Sequence, residues 1–252
     1  MINIINLETY KKENTTYVGI YLIEPLEIGQ GITLGNMLRR TLLSNLTTFA
    51  ITGARVNNLN NEYQKIDGLH EDTLEILLNL KEIVFKSSLS LINKYLKYKG
   101  YLNTYGPIII TAGLFNLPKN ILKIINPQQY IGTLLTGNVF NLEIDIENKN
   151  NTKKVKNSYQ KINDIFNSEA ATLKIDNNFL IIKNITYKVN LIYDTFGNLK
   201  ESLSLEITTN GSLTPKRCLL DSLKLLINLL YSLLYNKTEK VLSTLMLNPL
   251  FL

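Results

Sequence analysis

EPLEIGQGITLGNMLRRTLLSNL, residues Glu24 to Leu46, is the stretch on which the reading of this chain turns. Pro25 bars a helix at Glu24 and predicts a strand end there. Gly29 and Gly31 give the backbone freedom for a tight entry into the next element. A helix is expected from about Thr33, whose hydroxyl suits an N-cap. On a helix, Leu34, Met37, Leu38, Thr41, Leu42 and Asn45 share one broad side, predicted to be mainly core. Asn36, Arg39, Arg40 and Leu43 share the opposite arc, where a solvated helix would carry Lys and Glu rather than a Leu beside two Arg. By spacing alone two readings fit that arc: a docking face built on arginine forks beside an apolar anchor, or two surface arginines with one exposed leucine.

The other informative stretch closes the chain. Asn210-Gly211 ends a strand, Thr214 is expected to cap a helix, and Pro215 takes its first position, where proline is favoured. The helix is expected from Pro215 to about Tyr235. Asp221, Lys224, Asn228 and Ser232 recur at spacings of three and four and make a narrow polar stripe, while leucines and Ile227 fill most of the circumference. No single sheet can cover that much. A membrane span is disfavoured by Asp221, Lys224 and Asn228 within the run, and burying a leucine contributes about 2 kcal/mol. A surface shared with a partner is the better account.

Between these ends, Tyr17 to Ile23 is read as a strand whose partner lies late in the sequence, and Ala50 to Val56 as another. Lys65 to Leu80 is read as a second helix with Glu71 and Asp72 in its first turn and Leu74, Leu77, Leu78 and Lys81 on one side. The short runs from Ile83 to Ile146, punctuated by Gly and Pro, are the pattern of a mostly β module. Glu147 to Asn163 is polar and lysine-bearing and is expected to be an exposed loop. Leu173 to Asp194 and the stretch to Asn210 are read as strands, with Gly197-Asn198 as a turn and Leu203, Leu205 and Ile207 on one face.

Composition narrows the function. A chain of 252 residues has room for one large or two small domains, and a net charge of +6 with pI near 9.1 permits an acidic partner without requiring one. The single Cys218 excludes an internal disulfide and is read as a buried inert thiol. The single His70 leaves no His-rich metal set and is read as a capping-region residue. No catalytic residues, metal or cofactor are expected: there is no clustered Asp triplet, P-loop or Ser/His/Asp set. The amino terminus has neither a signal-peptide nor a transit pattern. Asn, Lys and Ile are over-used, which suggests a coding bias toward A and T. Together these point to an organelle-encoded chain, in a plastid, with the bacterial cytoplasm as the alternative.

The string itself resembles a known family. EPLEIGQGITLGNMLRRTLLSNL, KIDGLHEDTLEILLNLKEI (Lys65 to Ile83), GPIIITAGLF (Gly106 to Phe115), INPQQYIGTLL (Ile125 to Leu135) and EITTNGSLTPKRCLLDSLKLLINLL (Glu206 to Leu230) resemble, in order, the amino-terminal domain of the alpha subunit of bacterial-type RNA polymerase. The resemblance implies an α+β fold. A discontinuous dimerisation domain, a sheet plus two packed helices from residues 1–47 and 180–252, carries an inserted mostly β domain, residues 48–179. It implies a homodimer through Leu34, Thr41, Asn45, Leu223, Ile227, Leu230 and Leu234. It implies docking of the beta subunit on Arg39, Arg40 and Leu43, and of beta-prime at Lys81 and Ile175.

The function implied is that of a non-catalytic assembly platform for DNA-templated transcription, reaching DNA only through the complex and no membrane. The sequence stops at Leu252, soon after the dimer helix, so no helical DNA-binding domain and no promoter-upstream contact are expected. Two other functions compete. One is a stand-alone basic nucleic-acid-binding protein using the Glu147–Asn163 loop and the lysines near Lys94 to Lys99, and the other is a small-molecule enzyme, for which no convergent polar site is visible.

Overall fold

The computed structural model describes residues 2–12, 15–57, 59, 61–87, 97–118, 121–148, 172–194 and 196–246, with side chains on the last helix described as far as Leu234. In chain order the elements are β1 (Asn3–Lys11), β2 (Tyr17–Leu26), α1 (Gln30–Asn45), β3 (Phe49–Val56), α2 (Thr73–Lys81), β4 (Phe85–Ser87), β5 (Tyr98–Tyr105), β6 (Ile108–Thr111), β7 (Leu122–Ile124), β8 (Tyr130–Leu134), β9 (Val139–Asn148), β10 (Leu173–Lys174), β11 (Ile182–Tyr193), β12 (Leu199–Thr209) and α3 (Pro215–Met246). The fold is α+β, as expected.

One four-stranded antiparallel sheet has the order β1-β2-β12-β11. β2 does pair with a late strand: Tyr21 lies opposite Leu205 and Ile23 opposite Leu203. The inward side chains Tyr21, Ile23, Leu203, Leu205 and Ile207 pack beneath Leu38 and Leu42 of α1 and Cys218 and Leu219 of α3. Pro25 lies inside β2 rather than beyond its end. It is accommodated where the β2–β12 register slips, between the pairs Leu26↔Glu201 and Ile23↔Leu203, so its missing N–H breaks no regular ladder.

A second sheet, β10-β3-β9-β5, and the pairs β4-β7 and β6-β8 surround a separate buried cluster that includes Ile51, Leu80, Phe85, Phe140 and Ile144. The two clusters meet where the chain crosses: Thr47 bridges to Leu180, and Thr47 Oγ1 donates to Asn148 Oδ1 at 2.8 Å.

Several expectations are corrected. β1 was not foreseen; its residues are exposed on both faces, so it lacks the alternation that marks a half-buried strand. α2 begins at Thr73, not Lys65. Gly68 takes a left-handed turn at φ 85°, and Asp72 and Glu75 form a capping box that starts the helix there. Thr73, Ile76, Leu77 and Leu80 are its buried side, which leaves Leu74 and Leu78 exposed with Lys81.

Glu71 stands just outside α2 and ties this turn to β8, accepting from Tyr130 OH and from Thr133 N–H at 2.7 Å. Burial alone would raise its carboxyl, but these hydrogen bonds, with His70 nearby, outweigh burial and hold it below the usual range. Most of the basic loop expected over Glu147–Asn163 lies outside the described residues. Glu147 and Asn148 do not belong to it: both are buried in β9, and Glu147 pairs with Lys97 at 2.6 Å. α3 runs on to Met246, past the expected end, and Asp221 of its polar stripe is buried, accepting from Arg217 Nε at 3.0 Å.

Cys218 is fully buried, and desolvation, assisted by Asp221, pushes its thiol up to about 12. The folded protein is therefore expected to resist a thiol-specific reagent such as DTNB at pH 8, and to react fully once denatured. Rapid labelling of the native chain would contradict this burial.

Candidate assembly interfaces

α1 carries the first candidate surface, and its position is set by two glycines and one distant carboxylate. A Cβ at Gly35 would stand 2.7 Å from the Tyr187 ring, and one at Gly31 would stand 2.9 Å from Val189 Cγ1. Only glycine lets the helix lie this close to β11. The N-cap is Gly29, in the left-handed region at φ 87°, so the helix starts a turn before Thr33. The capping acceptor comes from β12: Glu201, buried in the sheet, takes Gly29 N–H at 2.9 Å and Gly31 N–H at 2.8 Å. A carboxylate here satisfies donors with no intrahelical partner and opposes the positive end of the dipole. Thr33 instead donates back to Gly29 O at 3.0 Å.

On the outer arc, Asn36, Arg39 and Arg40 are exposed and Leu43 is half-buried. The two arginines differ. One Arg39 nitrogen is held by the main-chain carbonyl of Ile185, while Arg40 has no ion-pair partner among the described residues. Asn36 Oδ1 accepts from Tyr187 OH at 2.8 Å. Ile32, missed in the sequence, is 55% exposed and belongs to the same arc, because it lies seven residues before Arg39. That spacing was legible.

The second candidate surface is on α2. Lys81 is exposed, and its carbonyl accepts from Asn177 Nδ2 at 3.5 Å. Ile175 is a correction. It is only 8% exposed and packs into the core of the β module, where its N–H donates to Thr52 O, so it offers almost no side chain to a partner. A cavity of about 1320 Å³ opens between the two surfaces, with Leu43 on one wall and Lys81 and Asn177 on another.

The third is formed by α1 and α3, which pack on each other above the sheet. Leu34 and Leu223 are half-buried and Asn45 is exposed. Thr41 is already covered within the chain, its hydroxyl donating to Met37 O at 2.8 Å, so it has little left for a partner. Ile227, Leu230 and Leu234 are 62%, 47% and 66% exposed, and Leu220, Leu229 and Leu233 widen the apolar face beside them. Among the described residues no helix is long and apolar enough to cross a membrane, and no group of three or more His, Cys, Asp and Glu gathers into a metal site.

The basic residues around Lys99 are paired. Lys99 pairs with Glu143 at 2.7 Å, Arg55 with Glu143 at 3.0 Å, and Lys97 with Glu147. Burial would raise the Glu143 carboxyl, but Lys99 and Arg55 outweigh it and hold it low. Lys97 and Lys99 therefore do not make the open cationic track that nucleic-acid binding needs, and Lys94 lies outside the described residues.

A sheet roofed by two packed helices, one with an uncovered leucine face, together with an arginine-bearing outer arc, defines a dimerising assembly module. The match to known proteins agrees: residues 24–230 fit the model of the RNA polymerase Rpb3/Rpb11 dimerisation domain. The chain is 38% identical to a DNA-directed RNA polymerase subunit alpha of Trieres chinensis over 92% of its own length and 70% of that protein, and 37% identical to that of Thalassiosira pseudonana over 93% and 71%. It is 39% identical to that of Pyropia yezoensis over 85% and 65%. The chain belongs to this family, as an alpha subunit of DNA-directed RNA polymerase. It is thus a subunit of a nucleotidyltransferase complex, with dimerisation and assembly with other polymerase subunits as its role.

Proposed function

We propose that this chain forms a homodimer through α1 and α3 and that the dimer then receives the two large subunits of a plastid RNA polymerase, one on an α1 arc and the other at α2. The uncovered apolar face of α3 carries this reading. Ile227, Leu230 and Leu234 continue a helix whose first turns are buried, and leaving them in water would waste burial worth about 2 kcal/mol per side chain. Leu34, Asn45 and Leu223 border this face, and Thr41 supports it from below. A beta-type subunit docks on Arg39, Arg40, Leu43 and Ile32, and a beta-prime-type subunit at Lys81. The dimerising unit comprises residues 1–47 and 180–252 and the inserted unit residues 48–179, a division supported by the two separate buried clusters. The plastid setting is supported by the algal sources of the relatives.

Arg40→Ala is the direct test. The dimer is expected to survive, while capture of the co-expressed beta-type subunit weakens about thirtyfold, the effect of losing an interfacial arginine worth about 2 kcal/mol. Undiminished co-purification would remove Arg40 from the interface.

A further inference from the structure

The ladder between β11 and β12 determines which main-chain groups of β11 are left over. Asp194 N–H donates to Asn198 O at the end of the hairpin, and the pairing runs back through Ile192↔Lys200, Asn190↔Ser202 and Lys188↔Ser204. Antiparallel pairs alternate between bonded and non-bonded, so the even-numbered residues of this stretch bond to β12. The odd ones, Tyr187, Val189, Leu191 and Tyr193, turn N–H and C=O away from it. Ile185 follows the same parity: its carbonyl is the one that Arg39 holds. β11 is the outermost strand of its sheet, and from Asn184 to Tyr193 its register has no bulge and its sequence no proline. Over this stretch the edge has neither the bulge nor the proline that often blunts an open strand, and its charged device is Lys188.

We propose that an extended segment of the beta-type subunit adds to this edge as a fifth strand, with α1 as its side wall. This rests on the reading of the α1 outer arc as the docking face for that subunit. The close approach at Gly31 and Gly35 holds α1 over Val189 and Tyr187, so Ile32, Asn36 and Arg39 stand along the same border as the outward main-chain groups. A strand added there receives main-chain hydrogen bonds from β11, and its alternate side chains meet Ile32 and Leu191, which are 55% and 63% exposed. Its other side chains meet Lys188. Lys188 has no carboxylate partner among the described residues, so the matching segment alternates apolar residues with acidic ones.

The test compares the free dimer with its complex with the co-expressed beta-type subunit by residue-resolved amide hydrogen exchange. Tyr187, Val189 and Leu191 are expected to exchange at least about tenfold more slowly in the complex, while Lys188 and Asn190 are slow in both. Leu191→Pro removes an outward N–H and no ladder bond. It is expected to weaken capture about fivefold with the dimer intact, whereas Leu191→Ala, which keeps the N–H, has less effect. If the odd amides exchange as they do in the free dimer and Leu191→Pro captures as wild type, while Arg40→Ala still loses capture, strand addition is wrong and the α1 reading stands. If neither Arg40→Ala nor Leu191→Pro weakens capture, both fall.

Discussion

Replacing Ile227 and Leu230 together with aspartate should convert the protein to a folded monomer. Both side chains are largely exposed on the isolated chain, so their loss opens no cavity in the core beneath α1 and α3. In a symmetric dimer each change occurs twice. Four apolar side chains at about 2 kcal/mol each give roughly 8 kcal/mol, or about six orders of magnitude in dissociation constant, before the cost of burying carboxylates is added. Sedimentation velocity at micromolar protein measures this directly, with circular dichroism to verify the fold. A double variant that sediments as a dimer would mean that the α3 face is not the interface.

Glu201→Ala should be the most damaging single substitution outside the hydrophobic cores. The carboxylate is 6% exposed and is the capping acceptor for α1, serving two N–H groups from a strand on the far side of the sequence. Its removal orphans both donors and deletes a favourable charge at the helix start, a loss of about 3 kcal/mol. For a chain of this size that corresponds to a fall of about 6–12 °C in Tm. Glu201→Gln keeps one acceptor and should lose less than half as much. Because α1 also carries Ile32, Arg39 and Arg40, the alanine variant should capture the beta-type subunit poorly even below its Tm. A Tm within about 2 °C of wild type would show that water replaces the cap.

Much of this architecture was legible in the residues. Leu203, Leu205 and Ile207 alternate cleanly because their strand has one buried face, and the leucine excess of α3 announced a partner because no single sheet could absorb it. What escaped was tertiary in origin. Thr33 was a reasonable N-cap by local rules, but Glu201 reaches α1 from β12 and starts it earlier. Leu74 and Leu78 were grouped with Leu77 by spacing, yet the buried side of α2 is set by where Ile76 and Leu80 meet the β module. β1 left no periodic mark because, among the described residues, none of its side chains is buried.

The pairing of β2 with β12 also imposes an order on biosynthesis. Leu22 waits for Ser204, a partner roughly 180 residues downstream, before the central ladder can form, and closing so long a loop is entropically slow. Tyr21, Ile23, Leu38 and Leu42 therefore emerge from the ribosome greasy and unsheltered, while β3, β5 and β9 of the inserted module have all emerged well before β12. The nascent chain matures from its middle outward, and its first-made helix is among the last to find its seat.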